Sequence, residues 1–286
     1  VRALLAPAEY AVFAPRFGLD REPNFEGGPW HLHSYRPIED TAASLGIGVE
    51  VATARLASAR AKLLDVRRQR VWPGRDEKLL TSWNALTIRG LAMAARALCR
   101  DDLQRAAEEA LERIRTQLWR DGRLLATCRE DVAQLPAYLD DYVMLADAIL
   151  ELLQVRWRSE DLQFAQELID IVLARFEDRD AGGFYFTADD HEALIHRSKS
   201  FADEATPSGN GVAAYVLQRM GWLLGETRYL AAAERTLRAA WRALERYPQG
   251  HMTLVTALDE YLVPPQIIVL RGTAESIAHW RGELDR

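Results

Sequence analysis

Asp102-Leu103-Gln104-Arg105-Ala106 returns as Asp161-Leu162-Gln163-Phe164-Ala165, a spacing of 59 residues, and this recurrence decides the fold. The same spacing places Trp83 on Tyr142, each opening a strongly apolar stretch. A spacing of 68 carries Leu162 and Ala165 onto Leu230 and Ala233, and Asp141-Tyr142 onto Gly209-Asn210. The added length fits in Gly182-Gly183-Phe184-Tyr185-Phe186-Thr187, which reads as a hairpin. Repeats of this period mark stacked supersecondary units.

Each unit reads alike. A polar head leads into a helix that is apolar nearly all round, over 83–98, 140–155 and 209–224. An amphipathic helix follows, over 102–119, 161–176 and 228–246. A helix apolar on all sides is buried, and one with a polar face lies outside. Alternation of the two builds inner helices covered by outer ones. The expected fold is therefore all-α, an α/α toroid of helical hairpins with short β-hairpins. A fourth inner helix is expected over 253–262, ended by Pro264-Pro265, with a buried strand at 266–270 and a last helix from about Thr273.

Ahead of the repeat, Pro7, Pro15, Pro23, Pro29 and Pro37 punctuate an irregular segment, 1–48. A helical stripe of Val51, Ala54, Leu56, Ala59, Leu63 and Leu64 then suggests another hairpin element at 49–70. The expected organisation is 1–48 irregular, 49–263 toroid hairpins, and 264–286 a small strand-helix extension. About four hairpins are fewer than a common six-hairpin ring needs. The start, Val1-Arg2-Ala3-Leu4-Leu5, has no initiator Met and no signal-peptide pattern, so a piece of a longer protein is expected.

Composition narrows the function classes. Of 286 residues 49% are hydrophobic and 27% charged, an ordinary globular balance. A net charge of −6 with scattered arginines disfavours a nucleic-acid surface. No apolar run approaches a membrane span, and a cytoplasmic protein is expected. Cys99 and Cys128 have no metal-ligand spacing and read as two buried, reduced thiols. His31 and His33 would share a strand face, but no third ligand sits at a diagnostic spacing, so neither metal nor cofactor is expected. G-x-S-x-G, P-loop and C-x-x-C motifs are absent.

The chemistry concentrates at the heads. Parallel inner helices bring their N-terminal ends, with unsatisfied N–H groups and the positive dipole end, to one mouth. Asp140 and Asp141 flank the start of one inner helix beside Tyr138 and Tyr142; Asp203 and Glu204 precede another. Each acid is either a helix cap or a ligand-facing group. Acids converging from different heads could serve as general acid and base, with aromatic rings gripping a sugar. Asp140, Asp141 and Asp203 are the candidate acid/base residues. Trp83, Tyr138 and Tyr142 are candidate stacking surfaces, and Asn84, Ser208 and Asn210 candidate hydrogen-bonding groups that compete with capping roles. Asp76 and Lys78 join the candidate binding set. Lys78, Arg197 and Lys199 are either solvated surface cations or grips for an anionic group.

Four motifs in order, Thr81-Ser82-Trp83-Asn84-Ala85-Leu86, Tyr138-Leu139-Asp140-Asp141-Tyr142, Gly182-Gly183-Phe184 and Pro207-Ser208-Gly209-Asn210, carry a resemblance. Asn24-Phe25-Glu26-Gly27 adds to it. Together they resemble the thioredoxin-domain-containing family of the YyaL type, which includes spermatogenesis-associated thioredoxin-like proteins. The resemblance covers roughly residues 10 to 270. It implies a toroid similar to those of N-acylglucosamine epimerases and six-hairpin glycosidases, preceded in the parent chain by a thioredoxin-like domain. The thioredoxin Cys pair is absent from this sequence. One departure is Asp76-Glu77-Lys78, where the family pattern has two Asp before the Lys; the longer reach of Glu77 weakens a catalytic role for it. The resemblance supplies architecture rather than a reaction. Two functions follow as expectations: a site that binds or transforms a carbohydrate-type small molecule, as a hydrolase or isomerase, or a non-catalytic scaffold presenting the thioredoxin-like domain to protein partners.

Overall fold

A computed structural model describes residues 1–192, 194–273, 277 and 280. The chain divides into two compact units, Val1–Asp76 and Glu77–Arg286. Among the described residues no helix is long and apolar enough to cross a membrane.

The first unit contains α1 (Pro7–Phe17), α2 (Ile38–Ser44) and α3 (Val49–Arg68). Two of these helices fall in the stretch expected to be irregular. Pro7 explains the first, because at the opening position of a helix its fixed φ is favourable and its missing N–H costs nothing. Gly18, at φ 78°, ends that helix in the left-handed conformation. Glu9 closes its N-terminus by accepting from Ala6 N at 2.9 Å, and pins α3 through Ser58 Oγ and Lys62 Nζ, both at 2.7 Å. Helix α3 thus groups with the N-terminal segment, whereas the sequence reading grouped 49–70 with the hairpins.

The second unit is the repeat. Inner helices α4 (Thr81–Leu98), α6 (Leu139–Val155), α8 (Gly209–Leu224) and α10 (Met252–Leu262) alternate with outer helices α5 (Asp101–Gln117), α7 (Ser159–Arg175) and α9 (Thr227–Arg246). Helix α6 packs against α4, α7 and α8, and α8 against α6, α9 and α10. Every residue of α6 except Asp140 and Gln154 is buried, as a helix surrounded on all sides requires. The outer helices bury one face each, α5 through Ala107, Leu111 and Ile114. Small side chains allow close approach: a methyl built on Gly221 of α8 would lie 2.6 Å from Leu230 Cδ2 of α9.

The strands are β1 (Leu79–Leu80), β2 (Trp119–Arg120), β3 (Arg123–Arg129) and β4 (Val132–Pro136), with β3 pairing antiparallel to all three others. The sequence reading missed β4. Its hairpin turns at Glu130 and Asp131, with φ of 51° and 61°, the conformation usually signalled by Asn-Gly. The expected hairpin around Gly182-Gly183 shrinks to a single bridge between Glu177 and Phe184, because both glycines adopt φ 78° and turn the chain aside.

Two further expectations are corrected. Residues 266–270 form no strand and are largely exposed, with Ile268 and Val269 at 54% and 60%, since no neighbouring strand among the described residues offers them a ladder. Cys128 is buried in β3, but Cys99 is exposed at the left-handed C-cap of α4. The last helix expected from Thr273 lies almost wholly outside the described residues.

Tyr142 links the layers. Its ring packs 5.4 Å from that of Phe176, and its hydroxyl accepts from Leu124 N at 3.0 Å. Tyr142→Phe leaves that buried N–H without its acceptor, and a stability loss of about 1–3 kcal/mol is expected. Urea denaturation followed by far-UV circular dichroism measures it.

Candidate functional site

Four inner helices begin close together, and carboxylates stitch their beginnings in pairs. Asp141 accepts from Tyr138 N at 3.0 Å, closing its own helix, and from Ser82 N of α4 at 2.9 Å. Asp203 does the same between the next pair, accepting from Ser208 N at 2.8 Å and Thr253 N of α10 at 2.9 Å. Ser208 in turn caps α8 by accepting from Gly211 N at 3.1 Å. Helix starts leave N–H groups without partners, and a carboxylate there also meets the positive dipole end. Both oxygens of Asp141 and of Asp203 are therefore spent on backbone donors.

The neighbouring acids are not. Asp140 is half-buried, and neither its carboxylate nor that of the exposed Glu204 has a hydrogen-bond partner among the described residues. Asp140 lies against the start of α8, where a methyl built on Gly209 would meet its Oδ1 at 2.1 Å and Leu139 Cδ2 at 3.0 Å. Glycine is needed here for room. Burial, and then the charges of Asp141 and Glu204, push the Asp140 carboxyl up to about 6. Burial also pushes Asp141 upward, against the pull of its two N–H donors. For Asp203 the balance reverses: burial would raise it, but the N–H groups of Thr253 and Ser208 outweigh that and hold it below the usual range.

Aromatic surface adjoins these acids. Tyr138 stacks on Phe186 with centroids 4.6 Å apart and planes 9° apart, and His191 lies 5.8 Å from Tyr138. Leu139 N donates to Phe186 O at 3.0 Å, which ties that loop to the start of α6. Trp83, on the first turn of α4, is 63% exposed.

The other candidates distribute as follows. Asn210 holds the preceding loop, accepting from Phe184 N at 2.7 Å and donating to Phe184 O and Ser200 O at 2.9 Å. Asn84 donates to Leu80 O at 2.9 Å, inside its own helix start. Tyr142 is buried away from solvent. Lys78 is exposed ahead of β1, and Asp76 is the last residue of the first unit. Lys199 binds Asp178 Oδ2 and Gly182 O at 2.7 and 2.8 Å, while Arg197 donates to Thr187 O and lies 4.2 Å over the Tyr185 ring. These two cations serve the loop. Phe186 and His191 are additions that the sequence reading did not place in the site, and Glu204 was named there as a cap or ligand-facing acid but not among the acid/base candidates. The acid doublets Asp140-Asp141 and Asp203-Glu204 were the available signal for Glu204: one member of each caps and the other does not.

No family model matches the chain. Among curated proteins it is 28% identical to human spermatogenesis-associated protein 20 over 250 residues, 84% of this chain. The chain is similar to spermatogenesis-associated protein 20. An uncharacterized protein of Caenorhabditis elegans is 26% identical over 246 residues. The chain spans about a third of the human relative's length, 32%. Among solved structures, a GH76 α-mannanase of Bacteroides thetaiotaomicron superposes with a TM-score of 0.54 at 12% identity, covering 66% of this chain and 54% of that one. The chain thus has an α/α-toroid fold of the six-hairpin glycosidase type.

Two outcomes follow for Asp140. A carboxyl whose folded pKa lies above its unfolded value favours folding in its protonated form, so this contribution is full near pH 4 and lost as pH rises through about 6. Asp140→Asn is expected to raise the melting temperature at pH 7, by an amount equivalent to about 1–3 kcal/mol, and to have little effect at pH 4. Thermal melts of both proteins across that range measure this. Gly209→Ala is expected to displace the carboxyl and return its titration toward the ordinary range, read by carboxyl-carbon NMR.

Proposed function

We propose that the mouth formed by the starts of α4, α6 and α8 binds and transforms a neutral carbohydrate-type small molecule. The observation that carries this is Asp140: a half-buried carboxyl spent on no cap, raised to about 6, and facing the charge of Glu204. A group poised near neutral pH can hold a proton for donation while an ionised partner accepts one, the division of labour that glycoside hydrolysis and sugar epimerisation both need. Tyr138, Phe186 and exposed Trp83 supply apolar faces for a sugar ring. The fold shared with an α-mannanase supports the choice of ligand class. In this reading Asp140 is the proton donor and Glu204 the base, while Asp141 and Asp203, with Ser208, Asn84 and Asn210, hold the helix starts in place. Tyr142, buried against Phe176, supports the core in this reading.

A second reading has its own support. Asp141 and Asp203, two of the three acids picked out in the sequence, are fully used as caps, as in a scaffold that presents a thioredoxin-like domain to protein partners. A glycan array followed by calorimetry on the full-length protein separates the two. The enzyme-type reading expects saccharide binding that Asp140→Asn weakens at least tenfold with the fold intact. Failure of every saccharide to bind would leave the scaffold reading standing.

A further inference from the structure

The stitches at the mouth join the inner helices in pairs. Asp141 ties α6 to α4, and Asp203 ties the start of α8 to α10. Across the remaining boundary, between α6 and α8, the described residues tie the two starts only through the connecting loop. There Leu139 N donates to Phe186 O at 3.0 Å, and Asn210 holds Phe184. Yet this is the boundary at which Asp140 meets Gly209. Whatever sets the height of α8 along α6 therefore sets how closely Asp140 is covered.

Apolar packing holds that height loosely. Both helices are buried and apolar on nearly every side, and their packing repeats with each turn, so registers one turn of about 5.4 Å apart compete. A shift of that size would carry Gly209 clear of Asp140.

One polar contact distinguishes the registers. Arg219 Nη1 of α8 lies 3.1 Å from Glu151 Oε1 of α6, and among the described residues this is the one hydrogen bond that joins the two helices directly. The spacing of 68 that carries Asp141 onto Gly209 also carries Glu151 onto Arg219. The pair thus sits at matching depths, about 15 Å below the two starts. Each partner is also held from another side. Arg219 forms a two-pronged pair with Glu260 of α10 at 2.7 and 3.2 Å, and lies 4.1 Å from the Tyr215 ring. Glu151 accepts from Gln154 at 3.1 Å and lies 3.8 Å from Arg96 of α4. The Glu151 side chain is 5% exposed and that of Arg219 26%, so water is poorly placed to replace the contact. A slip of one turn separates the two, and parting a buried charge from its partner is strongly destabilising.

We infer that Glu151 and Arg219 are positioning residues for the mouth: their contact fixes the axial register of α6 and α8 and so holds Asp140 against Gly209. This positioning serves chemistry only if Asp140 acts as proposed, and to that extent it rests on that reading; the contact itself is tested without any ligand. The charged groups that face Asp140 are Asp141 on its own helix and Glu204 ahead of α8, and the substitutions below touch neither.

Carboxyl-carbon NMR on the full-length protein reads the Asp140 titration, its signal assigned by its loss in Asp140→Asn. In Arg219→Met the midpoint is expected to fall from about 6 toward the ordinary value of about 4, because α8 no longer covers the carboxyl. Loss of a cation would by itself move the midpoint the other way. Glu151→Ala is expected to give the same fall. Glu151→Gln loses the same charge but keeps an acceptor for Arg219, and is expected to stay at about 6. An unchanged or raised midpoint in folded Arg219→Met overturns the inference, and so do equal midpoints in Glu151→Ala and Glu151→Gln. Should Arg219→Met fail to fold, the two Glu151 variants decide it. If no saccharide binds the wild type, the carbohydrate reading of the mouth falls while the register result stands.

Discussion

The N–H groups at the start of an α-helix must find acceptors, and in this protein that demand organises everything else. Four inner helices begin close together, so their unsatisfied donors crowd one place. Asp141 and Asp203 answer it two helices at a time, each bridging the starts of neighbouring helices. A carboxylate is suited to this because its two oxygens accept along different directions and its charge matches the dipole ends. With the starts locked, the side chains beside them hold defined positions.

The stitching also gives adjacent acids different tasks. Asp140 and Asp141 are neighbours in the chain, yet one is spent on backbone donors and the other is left half-buried beside like charge. Gly209 completes the contrast by letting α8 approach Asp140 closely. Burial raises both carboxyls to about 6, but only Asp140 is left without a donor. The same logic extends down the interior, where Arg89 only partly satisfies Asp147.

Much of the architecture was legible in the chain. The two repeat spacings and the contrast of all-apolar with amphipathic helices are local properties, and they located the inner and outer helices within two or three residues. The failures also have physical causes. Glu130-Asp131 makes a tight turn without the usual glycine, so β4 went unseen. Residues 266–270 have strand-forming composition, but a strand needs a partner, and composition cannot supply one. Pro7 reads as a breaker unless it falls at a helix's first position, where it is favourable.

By itself the sequence determined that polar residues would gather at the starts of apolar helices, because periodicity and capping chemistry depend on near neighbours. It could not say which of two adjacent acids would cap. That choice depends on whether a donor on another helix comes within reach, as Ser82 N does for Asp141 and Thr253 N for Asp203. Only the tertiary structure sets those distances. It left Asp140 and Glu204 without backbone donors, turned Tyr142 inward to Leu124, and brought Arg89 and Asp147 together from different helices.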